Sequence, residues 1–285
     1  MQRKRFFIPF LFFVTMLVVG CTKSIDEVAQ CNFPADEDLK LVWKDEFNDG
    51  MIDMAKWSFD TADGCQFGPD LCGWGNEELQ YYTTRPENAK VEDGKLIITA
   101  REESFEGRNY TSARMVTKNK GDWRYGRFEI RAKIPEGQGI WPAIWMLPTD
   151  TVYGIWPASG EIDIMEAIGS NTNEVFSTLH HGHENWKFET QYFRYPPEES
   201  VNFADDFHVY SADWTANCIQ FYVDGNPVGS ANTRSTVLPS TWPFDQPFHL
   251  IMNIAVGGRL PGNPDESTTF PQTMEVDYVR VYQRN

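Results

Sequence analysis

The sequence predicts an all-β protein built as a β-sandwich, on three observations. Runs mixing apolar, β-branched and aromatic residues with polar ones recur at Lys95 to Ala100, Tyr125 to Ile134, Glu161 to Ile168, Phe207 to Trp214, Ile219 to Val223, His249 to Val256 and Met274 to Tyr282. Asp93-Gly94 and Asp224-Gly225, dipeptides suited to the positive φ of tight hairpins, punctuate them. No segment of convincing length carries a helical period, and no internal repeat is found, so the strands must bury their apolar faces against one another.

The chain opens with Arg3-Lys4-Arg5 and an apolar run from Phe6 to Gly20, a charged start and a core too short to span a bilayer. Residues 1–20 therefore read as an export signal. Val18-Val19-Gly20-Cys21 resembles a bacterial lipobox, which implies cleavage before Cys21, lipidation there, and an exported lipoprotein anchored to a membrane without spanning it. Residues 21–37 are polar and acidic with little periodicity and read as a tether. Residues 38–285 are enough for one large domain, expected as a monomer.

Net charge is −16, and removing residues 1–20 takes away Arg3, Lys4 and Arg5 and no acid. Such a surface repels nucleic acid and anionic lipid, and a neutral polymer is the compatible partner. Export permits disulfides. Cys65 and Cys72 bracket a short loop whose spacing admits a bridge, whereas Cys218 sits in a strand-like run and reads as a buried thiol. The segments Gly64 to Trp74 and Gly182 to Asn202 read as long loops, of the kind that shape a binding site on a sandwich.

The most telling stretch is Gly160-Glu161-Ile162-Asp163-Ile164-Met165-Glu166, three carboxylates in an otherwise apolar, β-prone run. Glu161 and Asp163 share a face, but Glu166, three residues beyond Asp163, falls on the other unless one extra residue is absorbed. A β-bulge near Met165 does this. The two glutamates then stand roughly 13 Å apart at Cα, leaving a gap of about 5 Å between carboxyls, the separation for glycoside hydrolysis with retention. A charged surface patch or an acidic metal site is the competing reading. Trp141, Trp145 and Trp156 lie close by in sequence and supply faces on which sugar rings stack.

Several segments together resemble bacterial laminarinase-type endo-1,3-β-glucanases of glycoside hydrolase family sixteen. They are Gly73-Trp74-Gly75-Asn76-Glu77-Glu78-Leu79-Gln80-Tyr81-Tyr82-Thr83, Ser112-Ala113-Arg114, Tyr125 to Glu129, the tryptophan and acid segments, Phe221 to Gly225, Asn253 to Gly258 and Met274 to Tyr282. The acid motif with Met165 matches the longer form of laminarinase-like and agarase-like members; lichenases typically have one residue fewer. The resemblance implies a jelly roll with a concave carbohydrate cleft, Glu161 as nucleophile, Glu166 as acid/base and Asp163 tuning both. It further implies Asn76 and Arg114 on sugar hydroxyls, Trp141, Trp145 and Trp156 as cleft walls, and His180 at the cleft. No cofactor is expected for catalysis. A structural Ca²⁺ at Glu46 and Asp277, with the Gly94 carbonyl, is implied by the same resemblance, and oxygen donors suit a hard cation.

His180-His181-Gly182-His183 invites a zinc reading, but no matched ligand spacing supports it; beyond His180 these read as loop residues. Two rivals stand beside endo-hydrolysis of β-1,3-glucan, with or without mixed 1,3/1,4 linkages. One is a noncatalytic glucan-binding surface lipoprotein, which needs the aromatics and not three acids. The other is a related enzyme acting on another polysaccharide, such as agarose.

Overall fold

The strand Gly126–Lys133 shows how this sequence makes a layer: Phe128, Ile130 and Ala132 are buried, while Arg127, Glu129, Arg131 and Lys133 point the other way. The computed structural model describes residues 31–183, 186–195, 201–234 and 242–285, and in it such strands assemble into two large, mostly antiparallel sheets. A ten-stranded sheet has Gly126–Lys133 and Gln272–Arg284 side by side at its centre, flanked by His208–Trp214, Cys218–Val223 and Asn226–Thr233 on one side and Lys95–Phe105 and Arg108–Ser112 on the other. An eight-stranded sheet runs in the order Trp186–Tyr195, Val175–His183, Glu161–Glu166, Ile140–Pro148, Phe248–Val256, Arg114–Val116, Ser58–Asp60, with Asp122–Trp123 also paired to Phe248–Val256. This is the sandwich expected from the alternating runs.

Aromatic rings join the layers. Trp214 of the ten-stranded sheet meets Phe248 of the eight-stranded sheet edge-on at 5.4 Å, and Phe128 lies beside Trp214 at 6.2 Å. All three are buried. Burying such a side chain is worth about 1.5–3 kcal/mol, and truncating Phe128 to Ala would cost about 3–5 kcal/mol through lost burial and the cavity left behind.

Phe248–Val256 is buried at every position, which alternation alone does not give. One face meets the core; across the other lies the segment around Leu79 to Tyr82. Leu79 N–H donates to the Val256 carbonyl (2.8 Å), Val256 N–H to Gln80 Oε1 (2.8 Å), and Asn253 Nδ2 to the Tyr82 hydroxyl (3.0 Å).

Three expectations change. Cys218 is not a free thiol: it is bridged to Cys31, 187 residues away, a pairing that leaves no local spacing signal. The stretch Gly182 to Asn202 is not all loop, because Trp186–Tyr195 pairs antiparallel with Val175–His183; the alternation in Trp186-Lys187-Phe188-Glu189 is that of a strand. His181 and His183 accordingly lie in a strand. The Cys65–Cys72 bridge is formed, across two short 3₁₀ turns, Cys65–Phe67 and Pro69–Gly75. The export signal, Cys21 and most of the tether lie outside the described residues.

Candidate active site

The strand Glu161–Glu166 carries the expected extra residue. Against Ile140–Pro148 its partners run Glu166 to Ala143, Met165 to Ile144, then Asp163 to Trp145, so Ile164 is passed over. Against Val175–His183, Asp163 faces Thr178 and Glu166 faces Phe176, three residues of one strand spanning two of the other. Ile162, Ile164 and Met165 all go into the core. The bulge thus spends its additional side chain inward, and Glu161, Asp163 and Glu166 emerge together on the face turned away from the core.

Their partners are indoles and one imidazole. Trp156 Nε1 donates to Glu161 Oε2 (3.0 Å) and Trp141 Nε1 to Glu166 Oε1 (3.0 Å). His180 Nε2 stands 3.2 Å from Asp163 Oδ2 and 3.9 Å from Glu161 Oε1, and its ring lies 5.8 Å from that of Trp156. Trp145 donates instead to Asn253 Oδ1 (2.7 Å). None of the three tryptophans is a core residue; Trp156 is 43% exposed, and the others are partly so.

Burial pushes all three carboxyls upward, because each would leave a charge poorly solvated. For Glu161 burial is reinforced by Asp163, while His180, Arg114 and the Trp156 N–H favour its ionised form. Glu166 feels burial and then both Asp163 and Glu161, against His180 and the Trp141 N–H. The proton therefore resides more readily on Glu166, and Glu161 is the easier of the two glutamates to ionise.

Arg114 is only 8% exposed, its guanidinium sandwiched between Trp74 (4.4 Å) and Trp145 (4.7 Å) with Asp60 Oδ2 at 3.1 Å from Nε. It is a packed cation that favours the Glu161 charge. Asn76 is partly buried, and its Nδ2 donates to Glu78 Oε1 (3.2 Å). Motif reading missed Trp74, Tyr82 and Asn253 as individual site residues. All three lie in matched segments, but a shared motif does not say which of its side chains meet across the sheet.

Among the described residues Glu161, Asp163 and His180 form the one His/Cys/Asp/Glu cluster whose donor atoms all fall within 4.8 Å of one another. His181, next in the run after His180, is buried against Phe244, and burial pushes its imidazole down to about 4. At the implied Ca²⁺ position Glu46 is taken, both oxygens accepting from Arg280 (2.9 and 2.9 Å), and Asp277 Oδ2 accepts from Arg131 (2.7 Å). The Glu46 carboxylate does not fit as a cation ligand while that pair holds. The second oxygen of Asp277 and the carbonyl of Gly94 are hard donors of the right kind.

A family model for glycosyl hydrolases family 16 matches residues 76–280. A beta-glucanase of Rhodothermus marinus is 48% identical over 255 residues, covering 85% of each chain. Glucan endo-1,3-beta-glucosidase A1 of Niallia circulans is 44% identical over 87% of this chain, which spans 38% of that protein. The laminarinase catalytic domain of Thermotoga maritima superposes with a TM-score of 0.80 at 45% identity, covering 87% of this chain and all of that one.

Proposed function

The chain belongs to glycosyl hydrolases family 16, and from that premise we propose that it hydrolyses β-1,3-glucosidic bonds inside laminarin-type glucans with retention of anomeric configuration. The observation that carries the reading is the bulge that puts Glu161 and Glu166 on one face with Asp163 between them. In the first step the Glu161 carboxylate attacks the anomeric carbon while protonated Glu166 gives its proton to the leaving glycosidic oxygen, so one C–O bond forms as the other breaks. In the second, Glu166, now ionised, takes a proton from water as it attacks the same carbon and frees Glu161. Asp163, with His180 Nε2 at 3.2 Å from its Oδ2, raises the Glu166 carboxyl further and so favours the proton there. Trp141 and Trp156 fix the two glutamates through their N–H groups and offer their faces to the sugar.

The acids also speak against a pure glucan binder, which has no use for a buried carboxylate triad. Assay of purified protein on laminarin, mixed-linkage glucan and agarose, with product sizes followed in time, tests the reading. Early release of mixed oligosaccharides from laminarin is expected; an inert laminarin with cleaved agarose would move the substrate class. Mixed-linkage 1,3/1,4 glucan belongs to the same proposal, as does a monomeric enzyme.

Two further parts rest on sequence resemblance. Lipidation of Cys21 would hold the enzyme at the cell envelope, and Cys21→Ser should release it from membranes with catalysis unchanged; label from radioactive palmitate on the variant would refute the site. A structural Ca²⁺ would draw on Asp277 and the Gly94 carbonyl, outside the chemistry. Chelation should then lower the melting temperature in wild type and not in Asp277→Ala.

A further inference from the structure

Glu78 is a buried carboxylate that the chemistry above leaves unused. Its hydrogen bonds all arrive from donors: Gln80 Nε2 (2.7 Å) and the Tyr82 hydroxyl (3.4 Å) on Oε2, Asn76 Nδ2 (3.2 Å) on Oε1. The Tyr82 oxygen in turn accepts from Asn253 Nδ2 (3.0 Å), and Asn253 Oδ1 accepts from Trp145 Nε1 (2.7 Å). The relay has a single direction, indole to amide to phenol to carboxylate. That direction fixes which way the Asn253 amide faces, because only its oxygen can meet an indole N–H.

Trp145 stands opposite Asp163 in the sheet register, and its ring forms one side of the sandwich around Arg114, with Trp74 on the other. Tyr82 touches this assembly twice, through its hydroxyl and through its ring, 5.5 Å from Trp74. Burial pushes the Glu78 carboxyl up, while Gln80, Asn76 and the charge of Arg114 draw it back. A buried acid is costly unless its acceptors are filled, and these are filled by side chains that lead to the cleft.

We propose that Glu78 is a positioning residue: through Tyr82 and Asn253 it holds the indole of Trp145 at the angle that receives a sugar ring next to the catalytic acids. This rests on the glucanase reading for the identity of the sugar, though not for the relay itself. Loss of the relay weakens ground-state and transition-state binding alike, so it raises KM and spares kcat.

The test pairs Glu78→Gln, which keeps shape, with Tyr82→Phe, which keeps the ring packing on Trp74 and removes only the hydroxyl. Two readouts are taken on full-length protein: kcat and KM on laminarin, and the indole N–H resonance of Trp145, assigned by its disappearance in Trp145→Phe. In both variants the resonance should shift and KM should rise about tenfold, the scale of a hydrogen bond lost at a charged group, with kcat unchanged. The double variant should be no worse than the weaker single one, since the two act in series. An unmoved resonance in Tyr82→Phe, or a fall in kcat with KM intact, overturns the proposal. If Glu78→Gln does not fold, Tyr82→Phe decides alone. If wild type leaves laminarin uncut, the glucanase reading fails, and the resonance still judges the relay.

Discussion

Two sets of acids, one at each sheet, are held by opposite means. On the ten-stranded sheet Asp213 accepts two bonds from Arg127 (2.6 and 2.9 Å) and Asp277 one from Arg131, and Glu46, just past the strand Leu39–Asp45 that pairs with Gln272–Arg284, accepts two from Arg280. Hydrogen bonding to Arg280 holds the Glu46 carboxyl below its usual range. On the eight-stranded sheet Glu161, Asp163 and Glu166 have two indole N–H groups and one imidazole, with no guanidinium within hydrogen-bonding reach among the described residues, and burial drives them up. The guanidinium makes the difference. An acid paired with arginine is ionised and favours the fold; three acids packed together share protons and cost stability, the condition for one to give a proton while another attacks.

The largest expected effect lies on the acid side of this comparison. Glu161→Ala should abolish turnover and regain it with azide, giving the α-glycosyl azide, because the small anion occupies the place of the nucleophile. Glu166→Ala should fall by about 10²–10⁴ on laminarin yet retain much of its rate on an aryl glycoside whose leaving group needs no proton. Identical behaviour of the two variants on that substrate would break the assignment.

Next comes Asp213→Ala. It leaves Arg127 with the exposed Asp36 as its acid partner beside a buried vacancy and should cost about 3 kcal/mol, a fall in Tm on the order of 10 °C for a domain of this size. Glu161→Gln should do the reverse and raise Tm by roughly 5 °C, about 2 kcal/mol. The sign follows from linkage. Glu161 is pushed from 4.5 up to about 8, so its contribution to stability is fully present below 4.5 and is lost as pH rises through 8. The gain in Glu161→Gln should therefore be small at pH 4 and full above pH 8. For Glu46, lowered from 4.5, the contribution is present above 4.5 and lost as pH falls through its folded value. Glu46→Gln, at a partly exposed pair, should cost less than about 1 kcal/mol and show its full effect above pH 4.5, fading as pH falls. Thermal melts of the three variants across pH 4 to 9 check all of this, and parallel shifts in Glu161→Gln and Glu46→Gln would erase the distinction.

Much of the acid side is legible in the sequence. The spacing Glu161, Asp163, Glu166 demands a bulge to be useful, and the bulge is there at Ile164-Met165; three tryptophans near it in sequence are near it in space. The alternating runs gave strands within a few residues of their observed ends, because side-chain period is a local property. What could not be read depends on register between distant strands. Cys31 meets Cys218, Glu46 meets Arg280, and Tyr82 meets Asn253 only after the sheets are paired. The motif marks the place of Arg114 but not the two indoles that close over it. The strand Trp186–Tyr195 lies inside a stretch that reads as one long loop, and its pairing with Val175–His183 is what marks it.

The central claim, that the bulge makes Glu161 and Glu166 a nucleophile and acid/base pair acting in two steps, is tested most directly by following the anomeric protons of the first products of laminarin hydrolysis by NMR. Two displacements at one carbon predict the β-anomer first, with the α-anomer arising later by mutarotation. The α-anomer appearing first would mean a single displacement by water, and the account would be wrong.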